Sequence, residues 1–185
     1  WTVNIGMALE NIRKWQWINR MNEKINRMWK YDMLTQVLNR SGFFYCAETI
    51  LQKIKEEKSN AFIIFLDIDG LKSVNDNLGH EIGDAFIAKI AGILKEVVPK
   101  DCLIMRYGGD EFVVFGSCKQ AGRMQRIAED IKAAIKTDDQ KENRSYHLAA
   151  SLGCSLHKSY EMDNLNSLIE LADKKMYEEK KNKRR

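Results

Sequence analysis

The sequence is poor in the residues that mark secreted, zinc-binding or membrane-spanning proteins. Its four cysteines, Cys46, Cys102, Cys118 and Cys154, are scattered and form no C-x-x-C pair. They therefore indicate neither a disulfide framework nor a zinc site. No apolar run approaches the roughly 20 residues of a membrane-spanning helix, and the sequence shows no signal-peptide pattern. We expect reduced thiols in a cytoplasmic protein.

The composition is that of a folded domain. The chain has 185 residues, of which 44% are hydrophobic and 30% charged, which argues against disorder and allows one domain with a modest extension. The net charge is +4, with basic residues crowded near the C-terminus, and this favours an anionic ligand only weakly. Because the sequence begins at Trp1 rather than methionine, we expect a longer protein with an upstream sensor or membrane region.

A long helix is predicted at the start of the chain. Residues 4–31 lack proline and alternate apolar and charged positions. Ile18, Met21, Ile25 and Met28 follow the 3-4-3 spacing of a short a/d stripe. Such a stripe packs either on the helix's own domain or on a second copy in a parallel dimer, and both alternatives stay open.

We divide the chain into this linker or signalling helix, residues 1–31, and one α+β domain, residues 32–185. The run at 61–66 is continuously apolar, which is typical of a central strand covered on both faces. The element order predicts a ferredoxin-like β-α-β-β-α-β core with four or five strands. The other predicted elements are helices at 41–58, 71–78, 84–98, 120–136 and 164–181, and strands at 103–105, 112–115 and 147–155.

The stretch 106–112, RYGGDEF, lies between two apolar runs and predicts a β-hairpin. Gly108 and Gly109 suit the tight turn, because glycine adopts a positive φ without a steric penalty. The turn holds Asp110 and Glu111 at the hairpin tip, where two carboxylates suit a hard cation such as Mg²⁺. Simple solvation explains an acidic turn equally well unless another part of the chain supplies a partner carboxylate.

The predicted sheet supplies that partner, because it brings the end of the 61–66 strand beside the hairpin. Side chains alternate along a strand, so we expect Asp67 to face the hairpin tip and the two hairpin acids not to share one face. We predict a metal site formed by Asp67, Asp110 and the main-chain carbonyl of Ile68, with Glu111 as second choice.

Five motifs, in the expected order, resemble those of the GGDEF family, the diguanylate cyclases. RYGGDEF resembles the family signature, and the resemblance extends over residues 32–185. It implies an α/β sandwich like that of nucleotidyl cyclases and polymerase palms. The other matching stretches are DMLTQVLNR at 32–40, DIDGLKSVNDNLGHEIGD at 67–84, SLGCS at 151–155 and ADKKMYEEK at 172–180.

The resemblance implies condensation of two GTP molecules into cyclic di-GMP, with release of two pyrophosphates. Attack of a ribose 3′-hydroxyl on an α-phosphate needs a deprotonated nucleophile and neutralised charge, which two Mg²⁺ ions, or Mn²⁺, supply. By the same resemblance, Asp67, Ile68 and Asp110 are the metal ligands. Asp110 also accepts the proton, Lys72 meets the charge on the phosphates, and Glu111 is the less certain acid.

The resemblance also implies the substrate contacts. Asn75 and Asp84 match the pair that reads guanine, with His80 between them, since a carboxylate and an amide complement the guanine edge. Lys180 and Arg184 match cations that contact the terminal phosphates. A turn asparagine, a helix N-cap aspartate, a solvated histidine and solvated lysines are the plain alternatives. One GTP per chain implies that the active enzyme is a homodimer.

The chain departs from the family pattern at several positions. The product-inhibition motif R-x-x-D would place its Arg at Pro99 and its Asp at Cys102, and neither residue is right, so we predict no inhibitory site. Gln36 replaces a glycine, and Lys183 stands where glycine is usual. The alternatives to an active cyclase are a catalytically silent GTP-binding module and a polymerase palm. The chain lacks room for a polymerase's nucleic-acid surface, so we expect no nucleic-acid partner.

Overall fold

The structure is a computed structural model that describes residues 2–141, 146–158 and 164–183, with side chains from residue 6 onward. Among these residues, no helix is long and apolar enough to cross a membrane. The described elements, in chain order, are α1 (Thr2–Lys30), α2 (Arg40–Glu56), β1 (Asn60–Ile68), α3 (Leu71–Leu78), α4 (His80–Val97), β2 (Leu103–Gly108), β3 (Glu111–Cys118), α5 (Arg123–Lys141), β4 (Ala150–Lys158) and α6 (Leu165–Lys183).

The strands form one antiparallel sheet in the order β2-β3-β1-β4. β1 lies at the centre, between β3 and β4. Its residues from Ala61 to Ile68 are all buried, as the continuous apolar run predicts. The α+β fold and its ferredoxin-like order are confirmed, with four strands.

Helices cover both faces of this sheet. On one face, Phe62, Ile64 and Leu66 of β1 pack with residues of α3, α4 and α5. On the other face, Ile63 and Phe65 pack with residues of α2 and α6. Alternate residues of β1 therefore belong to different cores, and both helical layers pack against this one strand.

Several element boundaries differ from those predicted, and the starts of α4 and β4 are two of them. α4 begins at His80 rather than at residue 84, because Gly79, with a φ of 90°, ends α3 and starts α4 without a longer loop. Asp84 therefore lies inside α4 and is not its N-cap. β4 begins at Ala150 rather than at residue 147, since its pairing with β1 starts opposite Ile68.

α1 joins the domain through Asn39. The side-chain amide of Asn39 donates to the main-chain oxygens of Trp29 at 2.8 Å and Tyr31 at 3.3 Å, and its oxygen accepts from the Gly42 amide at 2.9 Å. Gly42 permits this close approach, because a Cβ there would lie 2.1 Å from the carbonyl oxygen of Lys30. One side chain thus connects the end of α1 to the start of α2.

Within the part of the chain that the structure describes, the apolar stripe of α1 does not pack on the helix's own domain. Ile18, Met21, Ile25 and Met28 are all exposed. Three tryptophans of the same helix are exposed as well: Trp15, Trp17 and Trp29. A helix with this much exposed apolar surface presents a face that suits a partner.

Candidate active site at the hairpin tip

The hairpin between β2 and β3 turns at Gly109 and Asp110. Gly108 and Glu111 are its last paired residues, and the pairing shifts by one residue just before Gly108. Gly109 has a φ of 43°, a conformation that glycine adopts without a Cβ penalty. The predicted hairpin is therefore present, but its turn lies one residue later than the two glycines. Gly108 ends β2, Asp110 is in the turn and Glu111 begins β3, because only Gly109 of the two glycines has a positive φ.

Arg106 holds this turn in place. Its Nε and Nη2 atoms donate to the carbonyl of Gly109 at 3.0 and 2.8 Å, and its Nη1 donates to both carboxylate oxygens of Asp32 at 3.1 and 3.2 Å. Asp32 also accepts from the Thr35 amide and hydroxyl at 2.9 and 2.7 Å. Burial raises the pKa of Asp32, but the bonds from Thr35 and Arg106 outweigh it and leave the pKa below its ordinary value.

Asp67 ends β1 beside the hairpin. It is the direct cross-strand partner of Glu111, and the main-chain N–H of Ile68 donates to the carbonyl of Asp110 at 3.1 Å. Cross-strand partners share one face of a sheet, so the Asp67 and Glu111 carboxylates project to the same side. Asp67 is only 8% exposed, and Lys180 of α6 donates to its carboxylate. The structure thus places the three acids that the sequence singled out at the same end of β1 and β3, with Asp67 directly opposite Glu111.

These acids repel one another. Burial raises the pKa of Asp67, with Lys180 opposing the rise and the charges of Asp110 and Asp69 adding to it. Burial also raises the pKa of Glu111, and the charge of Asp110 adds to that rise. A bound cation relieves this repulsion, and carboxylate and carbonyl oxygens are the donors that a hard divalent cation prefers. The residues present therefore fit Mg²⁺.

The predicted metal site has only two side-chain ligands, too few to surround a metal ion completely. Its side-chain ligands are Asp67 and Asp110, and its third donor is the main-chain oxygen of Ile68. In the part of the chain that the structure describes, no three or more His, Cys, Asp or Glu side chains gather as a metal site. Mg²⁺ usually keeps several waters and phosphate oxygens as further ligands. The ranking of Asp110 above Glu111 stays a prediction.

A second acid with a lysine partner lies two residues beyond Asp67. Asp69 accepts from the Ser151 hydroxyl of β4 at 2.8 Å and from Lys183 of α6 at 3.1 Å. This group was not predicted from the sequence, in which only Asp67 is expected to face the hairpin and Lys183 is a departure from the family pattern. The D-x-D spacing was the only signal in the sequence, since the contacts depend on the register of β4 and on the rotation of α6.

The residues predicted to bind guanine lie on α3 and α4. The Asn75 side chain occupies the space beside Gly83, because a Cβ on Gly83 would lie 1.8 Å from the Asn75 Oδ1. Asn75 is therefore close to Asp84, the next residue of α4. Lys72, His80 and Asp84 are exposed. The Asn75 side chain thus lies against α4 one residue before Asp84, and Asp84 itself is exposed. The joint role of Asn75 and Asp84 in binding guanine stays a prediction.

Two further predictions are not decided by these contacts. Arg184 lies outside the described residues. At the position where the inhibitory motif would end, Cys102 is buried, and burial raises the pKa of its thiol to about 11. The neighbouring Asp101 accepts from Arg123 at 2.7 Å. The lack of an inhibitory site stays a prediction.

Residues 29–185 match the family described as diguanylate cyclase, GGDEF domain. The chain belongs to the GGDEF family. The matched span contains the hairpin, the acids around Asp67 and the helices that carry Asn75 and Asp84.

Relatives and solved structures agree with this assignment. Diguanylate cyclase A of Treponema denticola is 29% identical over 180 residues, which cover 95% of this chain and 48% of that protein. An uncharacterized membrane protein of Staphylococcus epidermidis is 31% identical over 146 residues, which cover 79% of this chain and 39% of that protein. This chain thus spans less than half the length of either relative.

The fold also matches that of a crystal structure. The coiled coil and GGDEF domain of DgcB from Caulobacter crescentus, in complex with c-di-GMP, has a TM-score of 0.83 to this chain at 23% identity. The match covers 96% of this chain and 94% of that one. It extends to α1, because α1 and the domain together are needed to reach this coverage.

Proposed function

We propose that this GGDEF domain condenses two molecules of GTP into cyclic di-GMP and releases two pyrophosphates. The observation that carries the proposal is the position of Asp67 opposite Glu111, with Lys180 beside it and Asp110 bonded to the next residue of β1. Acids from two neighbouring strands and a lysine from a helix suit metal-assisted phosphoryl transfer. The Treponema relative carries the name of this activity.

The cofactor of the proposed reaction is Mg²⁺, two ions per active site, with Mn²⁺ as a possible substitute. The carboxylates of Asp67 and Asp110 and the main-chain carbonyl of Ile68 would bind these ions. When bound, such ions lower the pKa of the attacking hydroxyl and neutralise phosphate charge. Asp110 takes the proton of the ribose 3′-hydroxyl, and Glu111 adds negative charge that retains the cation. Lys180 exchanges its bond to Asp67 for the terminal phosphates.

The phosphates are proposed to lie at the start of α3. Its N-cap, Gly70, provides no side-chain hydrogen bond to the helix, so the first N–H groups are open to an anion, which the helix dipole favours. Lys72 lies exposed in this first turn, where its own charge opposes the dipole. A phosphate between the helix end and the Lys72 ammonium removes that conflict. Arg184 is the second proposed phosphate cation.

Asn75 and Asp84 are proposed to read the base. A carboxylate accepts from the N1–H and N2–H groups of guanine, while an amide donates to its O6. Adenine offers no donor at N1, so the pair favours GTP over ATP. His80, the first residue of α4, is proposed as a further substrate contact.

The proposed reaction needs two copies of the chain. Each domain holds one GTP, and the two-fold symmetry of the product requires two half-sites to face each other. The exposed stripe of α1 is the proposed surface for parallel pairing. A sensor or membrane region upstream in a longer protein would control the encounter through this helix. We assign the reaction to the cytoplasm, where GTP is available.

Product analysis tests the proposal. The purified chain is incubated with GTP and Mg²⁺, and the nucleotides are separated and identified by mass spectrometry. We expect cyclic di-GMP from the wild type, none from Asp110→Asn or with excess EDTA, and unchanged formation from Glu48→Gln, which removes an exposed acid of α2. Undiminished product from Asp110→Asn would refute the site. GTP binding without any product would instead favour a silent GTP-binding module.

A further inference from the structure

Lys183 lies in the last described turn of α6 and is surrounded by oxygen atoms. Its Nζ is 2.7 Å from the main-chain oxygen of Ala150, 3.1 Å from Oδ2 of Asp69, 3.2 Å from Oγ of Ser151 and 3.3 Å from Oε1 of Glu179. The side chain remains 45% exposed, yet an ammonium has only three protons to donate. Because four oxygens surround the ammonium group of Lys183, its position is more restricted than that of a typical lysine on a protein surface.

Among these partners, Asp69 connects Lys183 to the loop that precedes α3. Its main-chain N–H donates to the Ala149 oxygen at 2.9 Å, and its carboxylate accepts from the Ser151 hydroxyl. Asp69 directly follows Ile68 and leads, through Gly70, into α3. Whatever holds Asp69 therefore also holds the loop between the proposed metal ligands and the first turn of α3.

Lys183 and Lys180 are three residues apart in α6. Residues with this spacing lie on the same helix face, and each of the two lysines bonds to a carboxylate of the same segment, Asp67 or Asp69. The contact of Lys183 thus fixes the rotation of the end of α6 that directs Lys180 to Asp67. It also offsets the charge of Asp69, which otherwise adds to the repulsion felt by Asp67.

We propose that Lys183 is a positioning residue for the nucleotide phosphates, acting through Asp69 on the loop before α3 and through α6 on Lys180. The inference rests on the proposed function, since it specifies how this same site holds its substrate. Lys183 itself does not touch the reacting atoms. Loss of the Lys183 side chain should therefore weaken GTP binding more than it lowers the reaction rate of bound GTP.

The test compares Lys183→Met with Lys181→Met. Lys181 carries the same charge on the same helix, but its Nζ lies over the Tyr177 ring at 4.8 Å instead of near the loop. We expect Lys183→Met to raise the KM for GTP about tenfold, as loss of a charged hydrogen bond does, with kcat changed less than about threefold. Lys181→Met should stay within about twofold of wild type, and Lys183→Arg should largely restore KM.

A binding measurement separates this inference from the proposed function. Titration calorimetry with a GTP analogue that has a methylene between the α- and β-phosphorus atoms needs no turnover and no second half-site. Weaker analogue binding by Lys183→Met than by Lys181→Met supports the positioning role, and equal binding by the two variants overturns it. Failure of the wild type to form cyclic di-GMP overturns the proposed function alone, because the titration still decides the role of Lys183.

Discussion

Arg106 and Asp32 are 74 positions apart in the chain and form an ion pair in which one guanidinium nitrogen contacts both carboxylate oxygens, at 3.1 and 3.2 Å. Their side chains are only 16% and 24% exposed. The same guanidinium donates twice to the carbonyl of Gly109. The turn that carries the hairpin acids is therefore bonded, through one side chain, to the segment that follows α1.

Replacing Arg106 with Met should loosen the hairpin tip. We expect unfolding in urea to show a loss of roughly 2–3 kcal/mol, because a part-buried carboxylate and a turn carbonyl lose their donor. Cyclic di-GMP formation should fall more than stability explains. Arg123→Met is the control, since Arg123 also pairs with an acid, Asp101, away from the hairpin tip. Equal activity in both variants would contradict a role for Arg106 in holding the turn.

The Asp32 carboxyl should make stability depend on acidity. Its pKa in the folded protein is held below the ordinary value of 3.8, so its ionised form stabilises the fold above that pH. This contribution is lost as the pH falls through the folded pKa. Urea midpoints measured from about pH 6 down to pH 2.5 should therefore fall more steeply for wild type than for Asp32→Asn. Parallel curves would refute the assignment.

Gln36 has a left-handed backbone, with a φ of 56°. A residue with a Cβ is strained in this region by about 1 kcal/mol. Its side chain recovers part of this through a bond from Nε2 to the Met33 oxygen at 2.9 Å. We expect Gln36→Gly to raise the melting temperature slightly and Gln36→Ala to lower it, because alanine keeps the strain and loses the bond. Lys58, with a φ of 49°, offers a second site at which glycine should stabilise.

Adding a methyl group at Gly83 should disturb the proposed base site. A Cβ there would lie 1.8 Å from the Asn75 Oδ1, so Gly83→Ala must displace the Asn75 amide. We expect a raised KM for GTP and a smaller preference over ATP. Gly92→Ala is the control on the same helix, because among the described residues a Cβ at Gly92 would meet no atom within 4 Å beyond the backbone of its own helix. If the two variants have the same KM, the Asn75 amide does not act on the base.

Dimerisation through the exposed stripe of α1 can be tested by introducing a charged residue into that stripe. Ile18→Lys places an ammonium on the exposed stripe, and Asn19→Lys adds the same charge one residue away from it. We expect wild type and Asn19→Lys to dimerise with rising concentration in sedimentation equilibrium, and Ile18→Lys to remain monomeric with lower activity per chain. A dimer unaffected by Ile18→Lys would place the contact elsewhere.

Local patterns predicted the elements well where one segment decides its own structure. β1 is one example, because its continuous apolar run already indicates a strand that is buried on both faces. The helix Leu71–Leu78 is another, because the glycines at its two ends mark where it begins and ends. The hairpin at 103–118 is a third, although its turn lies one residue later than predicted. The start of α4 was missed, because its position depends on the backbone angle at Gly79 rather than on polarity.

The position of Asp67 beside the hairpin was predicted correctly, because the predicted strand order already joined the end of β1 to the hairpin. The contacts made by long basic side chains were not found. Arg106 reaches Asp32, and Lys183 reaches Asp69, only after the sheet and α6 are in place. Such partners are selected by the packing of distant segments, which the spacing of charges along the chain does not encode.

The central position of β1 also bears on how the domain is made. Every pairing partner of this strand lies later in the chain, at residues 111–118 and 150–158. During synthesis, the β1 segment leaves the ribosome long before either neighbour, and an apolar segment without its pairing partners is prone to aggregation. Pairings between such distant residues also form slowly. We therefore expect the nascent chain to be most prone to aggregation in the interval before β4 emerges.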